Sequence, residues 1–131
     1  MKQQALSDIL SRINVARRAH MQSILIPNVS MARKLLSLFE TIGLIRGYTI
    51  QDYTGFVEVL LKYNKSLCII QDLKQISKPS RRVYVSLVKL KRMKDKHNKT
   101  IYIISTTRGL MLDSECLIAG LGGEVLVKVV I

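Results

Sequence analysis

Residues 104–131 read ISTTRGLMLDSECLIAGLGGEVLVKVVI. An apolar run, TIYIIS at 100–105, arrives at Ser105, Thr106, Thr107, Arg108 and Gly109, which are three hydroxyls, a cation and a glycine in succession. Asp113 to Ala119 has the composition of a short helix. GLGG at 120–123 supplies the positive φ angles that a chain needs between helix and strand. EVLVKVV then alternates as a strand. This order, strand, loop, short helix, glycine knot, strand, predicts a C-terminal unit that is mostly β with one helix. Its loop offers hydroxyls that donate and accept, and a planar guanidinium fork suited to phosphate or to stacking.

Working outward, SKPSRR at 77–82 marks a boundary. Pro79 between serines breaks a strand, and the composition turns cationic. From 78 to 99 stand nine Lys or Arg against Asp95 alone. LKRMKDKHNK at 90–99 shows little apolar periodicity and reads as an exposed basic excursion.

Upstream the period changes. Residues 4–18 carry a helical stripe of Leu6, Ile9, Leu10, Ile13 and Ala16, with Arg12 and Arg18 off it. SILIP at 23–27 is a short strand. Ser30 is expected to cap a second helix with Met31, Leu35, Leu38, Phe39 and Ile42 on one face and Gly43 as its terminator. GFVEVLLKY (55–63) alternates Val57, Val59, Leu61 and Tyr63 against Glu58 and Lys62, and SLCIIQDLKQI (66–76) is expected to pair with it antiparallel. The expected fold is therefore α+β: an N-terminal α/β unit over 1–77, with two helices on a small antiparallel sheet, and a β-rich unit over 78–131.

Composition narrows function. Twenty-one Lys and Arg against nine Asp and Glu leave a formal charge of +12, which favours a polyanionic partner, nucleic acid before an anionic membrane surface. Cys68 and Cys116 stand apart without a CxxC pair, so neither a zinc site nor a disulfide is expected, and both are expected as buried reduced thiols. No stretch has the length of a membrane span, and the chain opens on a helix with no targeting peptide expected ahead of it.

Catalysis finds no candidate set. His20 sits at a helix end, His97 lies among lysines, and the acids are scattered. GLGG lacks the lysine and hydroxyl of a phosphate loop. No catalytic residue, metal or cofactor is expected, and no homo-oligomer. A sequence-indifferent nucleic-acid binder would want more stacking aromatics than five Tyr, two Phe and no Trp. A peripheral membrane protein would want an apolar face opposite the cations, and 89–99 has none. A purely structural protein without direct RNA contact is the strongest rival.

ISTTRGLMLDSECLIAGLGGEVL resembles the closing signature of the S-eight family of small-subunit ribosomal proteins, in which a strand ends in V-S-T-S-K-G-[VI]-M-T-D-x-E-A and G-x-G-G-E precedes a last strand. Ser105, Thr106, Gly109, Met111, Asp113, Glu115, Gly120, Gly122, Gly123 and Glu124 carry the match. LSDILSRINVARRAH, ILIPNVSMARKLLSLFETIGLI and QISKPSRRVYV are similar to three further blocks of that family, in the same order. The resemblance implies a primary rRNA-binding protein that contacts the central domain of small-subunit rRNA and aids assembly, beside neighbouring small-subunit proteins. Carried over by position, Ser105, Thr106, Thr107, Arg108, Gly123 and Glu124 are expected at the rRNA, with Lys78, Arg81 and Arg82 on phosphates and Arg12 and Arg18 as further basic contacts.

Departures from the pattern are specific. Ser80 replaces a glycine. Leu112 replaces a capping threonine, so that Asp113 is expected to shift the cap by one residue. Leu117 and Ile118 replace a basic pair, and the basic segment replaces a glycine-containing stretch. With the Leu, Ile and Lys content, these departures point to an organelle-encoded copy in the mitochondrial matrix, ahead of a plastid or a bacterial cytoplasm.

Overall fold

The computed structural model of the chain describes residues 2–51, 53–96 and 99–131. The fold is α+β, with four helices and antiparallel sheets among the described residues. The chain divides into two compact units, 1–71 and 72–131.

The first unit runs α1 (Lys2–Arg18), β1 (Ser23–Pro27), α2 (Ser30–Thr41), β2 (Ile45–Gln51), β3 (Phe56–Leu61), β4 (Tyr63–Asn64) and β5 (Leu67–Cys68). The α1 stripe forms as its 3.6-residue period predicts: Leu6, Ile9, Leu10, Ile13 and Ala16 are all buried. On β3 the alternation places Val57, Val59 and Leu61 inside. In α2 the buried set is Ala32, Leu35, Leu36 and Phe39, so the face is turned slightly from the expected one, and Met31, Leu38 and Ile42 are only half-buried. Ser30 does not cap this helix. Val29 holds the cap position in extended backbone without a side-chain hydrogen bond, and Ser30 is the first helical residue. Gly43 follows the helix at φ +79°.

The expected pairing of 66–76 with β3 is corrected. Both edges of β3 are taken, by β1 on one side and β2 on the other. The turn itself is as expected: Lys65 and Ser66 both have positive φ, the twist-matched geometry of a two-residue hairpin. The hairpin lasts two pairs, Tyr63 with Cys68 and Asn64 with Leu67. The chain then leaves to form β6 (Asp72–Gln75), which pairs with the last strand of the second unit. The composition boundary expected at 77/78 falls just after β6.

The second unit continues with β7 (Tyr84–Val85), α3 (Leu87–Lys96), β8 (Thr100–Thr106), β9 (Gly109–Leu112), α4 (Asp113–Ala119) and β10 (Gly123–Val130). Its sheet is ordered β6-β10-β8-β9, with β7 also on β10. A bulge at Leu126 shifts the β10–β8 register between Val125 and Val127. Val85, Leu90, Tyr102, Ile104, Cys116 and Val125 form the core beneath.

Two elements differ from expectation. The basic excursion is helical as far as Lys96: Ser86 Oγ accepts the Lys89 N–H at 3.3 Å as its cap, Leu90 is buried, and Leu87 and Met93 are half-buried beside it. The loop at 105–109 does not run directly from strand to helix either, because β9 turns back along β8 first.

The thiols remain free. Cys116 is buried and Cys68 half-buried, and burial pushes both thiols above their ordinary value. Among the described residues no helix is long and apolar enough to cross a membrane.

Candidate nucleic-acid interface

The hydroxyl loop is a tight β-hairpin. Thr106 pairs with Gly109, leaving Thr107 and Arg108 at the tip, both exposed. Gly109 takes φ +99°, a conformation that side-chain-bearing residues rarely adopt. The Thr106 hydroxyl accepts the Arg108 N–H at 3.1 Å and donates to the Gly109 carbonyl at 3.0 Å. Its single proton is thus spent inside the turn. Thr106 fixes the tip, and what it retains for a ligand is acceptance. Ser105, half-buried, and Thr107 and Arg108 are the outward donors.

Strand register aligns the other residues. Tyr84 on β7 faces Glu124 on β10, and Glu124 faces Ser105 on β8. Directly paired residues put their side chains on the same face of a sheet. Tyr84, Glu124 and Ser105 therefore form one row across three strands: a phenol, a carboxylate and a hydroxyl. Tyr84 is 63% exposed. Sequence reasoning did not single it out, although it stands in RRVYV beside residues that it did.

Gly123 makes the row possible. A Cβ there would fall inside the contact radius of the Ser105 carbonyl oxygen, so only glycine lets β10 approach β8 this closely. Glu124 follows, its side chain only 13% exposed, with Arg82 Nη1 at 3.5 Å. Arg82 is half-exposed, so this pair contributes at most about 1 kcal/mol. Its use is orientation: it turns a guanidinium toward the row and holds the carboxylate on it.

The 78–82 loop is fixed from below. Lys78 and Arg81 exchange two backbone hydrogen bonds of 2.9 Å around Pro79 and Ser80, so the turn closes with serine at its second corner. Ser77 is fully buried, and its hydroxyl accepts the Val83 N–H at 2.8 Å and donates to the Val83 carbonyl at 3.2 Å. The Val83 carbonyl also accepts the Val125 N–H at 2.9 Å. Lys78, Arg81 and Arg82 are thereby presented, exposed, beside the start of β10.

A family model described as ribosomal protein S8 matches residues 4–130. The chain belongs to the ribosomal protein S8 family. A protein of Rhodospirillum centenum named small ribosomal subunit protein uS8 is 37% identical over 127 residues, covering 95% of each chain. A protein of the same name from Rhizorhabdus wittichii is 36% identical over 126 residues, again 95% of each. A protein of Acanthamoeba castellanii named small ribosomal subunit protein uS8m is 31% identical over 124 residues, 95% of this chain and 97% of the relative.

Within this S8-family chain the helix after the hairpin departs from expectation. Asp113 does not cap α4. Leu112 holds the cap position, its N–H donating to Glu115 Oε1 at 3.4 Å. Asp113 is the first helical residue, buried, and accepts from Ser114 N at 2.7 Å and from Tyr102 N at 3.1 Å. On α4, Leu117 packs against the core, whereas Ile118 is 89% exposed.

Arg12 and Arg18 belong to the first unit. Arg12 is engaged within α1 and β1, with Nε 3.1 Å from Asp8 Oδ2 and Nη1 donating to the Leu25 carbonyl at 3.2 Å. Arg18 ends α1 and lines an open pocket with Arg17, His20, Leu67 and Cys68. His20 takes φ +56° beyond the helix, its ring centroid 6.3 Å from that of Tyr63. His97 lies outside the described residues. Among the described residues no group of three or more His, Cys, Asp or Glu gathers in a metal-binding arrangement.

Proposed function

We propose that this S8-family chain is a structural, non-catalytic constituent of the small ribosomal subunit, and that its second unit binds the central domain of small-subunit rRNA and aids assembly. The observation that carries this reading is the Tyr84–Glu124–Ser105 row, flanked by the Thr107–Arg108 tip and the Lys78, Arg81 and Arg82 loop. A shallow RNA minor groove displays 2′-hydroxyls, base edges and phosphates. The row supplies hydroxyl, carboxylate and aromatic partners for the first two, and the cations supply partners for the third. Ser105, Thr106, Thr107, Arg108, Gly123 and Glu124 form the groove contact in this reading. Lys78, Arg81 and Arg82 hold phosphates, and Arg12 and Arg18 add basic contacts from the first unit.

Neighbouring small-subunit proteins are the second class of partner, for which the exposed Ile118 offers an apolar contact where the family has a cation. A mitochondrial ribosome is the proposed setting, supported by the drift from the family pattern and by the relative named uS8m.

Equilibrium binding of the purified chain to its own organism's central-domain rRNA helix, with an unrelated duplex of equal length and a salt series, tests the proposal. Selective binding that survives moderate salt supports it. Equal, steeply salt-dependent binding to both duplexes overturns it.

A further inference from the structure

Helix α3 divides its residues cleanly. Leu90 is buried, Leu87 and Met93 are half-buried, and Lys94 turns inward, its ammonium 3.1 Å from Asp113 Oδ2 and 3.0 Å from the Thr100 carbonyl. Val88, Lys89, Lys91 and Arg92 are exposed. At 100° per residue these four cover an arc of about 160° on the other side of the helix. Three of the four are cations, and on the same wheel Asp95 falls within their arc as its one acid.

As an isolated helix this pattern is unfavourable. The first turn contains no acid to complement the helix N-terminus, and Lys89 stands there instead. Lys89 and Arg92, three residues apart, repel one another. A helix that accepts both costs, yet is capped by Ser86, seated by Leu90 and tethered by Lys94, is a rigid mount for a face on which cations outnumber acids. It begins two residues after β7, the strand that carries Tyr84.

We infer that the outward face of α3 is a second docking surface, on which Lys89, Lys91 and Arg92 take the phosphates of an RNA backbone beyond the groove that the hairpin reads. This rests on the rRNA-binding reading above and extends it. A uniformly charged backbone suits a face on which Lys89, Lys91 and Arg92 outnumber one acid better than a protein surface does, because carboxylates on a protein are interspersed with other groups. The Val88 methyls then lie against sugar.

The test uses the full chain and a long central-domain rRNA fragment. The triple variant Lys89→Gln, Lys91→Gln, Arg92→Gln removes three phosphate contacts, so the slope of log affinity against log salt becomes shallower by about two to three units. Lys91→Gln alone moves it by about one unit. A charge-matched control, Lys34→Gln, Arg46→Gln, Lys62→Gln, changes three exposed cations of the first unit and moves the slope by less than one unit. All the side chains replaced are exposed, and thermal melting confirms that each variant folds.

An unchanged slope in the triple variant overturns the inference, as does a control that matches it. Discrimination between the cognate and an unrelated helix is read in the same titrations. Its absence in the wild type overturns the hairpin reading, while the slope comparison still decides the fate of α3.

Discussion

The Lys94 ammonium lies 3.1 Å from Asp113 Oδ2, a carboxylate that is 2% exposed and joins three elements. Both of its oxygens accept: Oδ2 from Tyr102 N–H and Lys94, Oδ1 from Ser114 N–H. An amide has one acceptor oxygen, so Asp113→Asn turns an NH2 against a backbone N–H in the interior. The expected cost is about 2–3 kcal/mol. Lys94→Met keeps the apolar stem but leaves the buried Asp113 carboxylate without its counter-charge, for about 3 kcal/mol. Urea midpoints give both values, and a Lys94→Met variant as stable as the wild type would contradict this account of the site.

Ser77 closes the basic loop from inside the core. Ser77→Ala leaves the Val83 N–H without its 2.8 Å acceptor and is expected to cost about 1–3 kcal/mol. Since Lys78, Arg81 and Arg82 hang from this loop, RNA affinity falls as well, with the salt dependence nearly retained because no cation is lost. Denaturation and a salt series on the same variant separate the two effects.

The regular amphipathic elements were legible because local pattern sets them. The α1 stripe is buried residue for residue as its period requires, and so are Val57, Val59 and Leu61 of the expected alternation, while Tyr63 falls beyond β3, in β4, and is half-buried. Helix α3 was hidden by its own outer face, whose cations swamp three apolar positions, Leu87, Leu90 and Met93. Strand β9 spans four residues, too few to show a period. The partner of β6 is set by the far end of the chain, which no local window contains. The loop residues of the candidate site were visible as types. Their division of labour was not: Thr106 spends its proton in the turn, and Tyr84 enters the row only through strand register.

Gly123→Ala forces a methyl against the Ser105 carbonyl, a backbone atom that moves only with the sheet. The expected destabilisation is about 1–3 kcal/mol, as for overpacking. Ser105 and Glu124 lose their alignment together, so RNA binding weakens beyond what stability explains. A variant with wild-type melting temperature and affinity would rule out the close approach of β10 to β8.

Burial, followed by the nearby charges of Asp113 and Glu115, raises the Cys116 thiol above its ordinary value, and burial, followed by Asp113, raises the Tyr102 phenol. Both groups therefore give up their protons more readily in the unfolded chain. Their contribution to stability is complete at neutral pH and is lost as pH rises from the ordinary thiol value of about 8.5 upward. Unfolding free energies measured from pH 7 to 10.5 should fall with pH. Cys116→Ala should flatten the early part of that fall, and an unchanged profile in the variant would count against the buried thiol as its source.

Thr106 and Arg108 divide the hairpin's work in ways that binding can separate. Arg108 stands exposed at the tip, so Arg108→Ala removes one cation and lowers the salt slope by about one unit. Thr106→Val keeps the charge and shape of the side chain but removes its bonds to Arg108 N and Gly109 O. The tip loosens, and affinity for the cognate rRNA helix is expected to fall about fivefold to tenfold, the worth of a lost hydrogen bond, at unchanged salt slope. If Thr106→Val binds as the wild type does, the rigidity of the turn contributes nothing to recognition, and the hairpin acts through the charge of Arg108 alone.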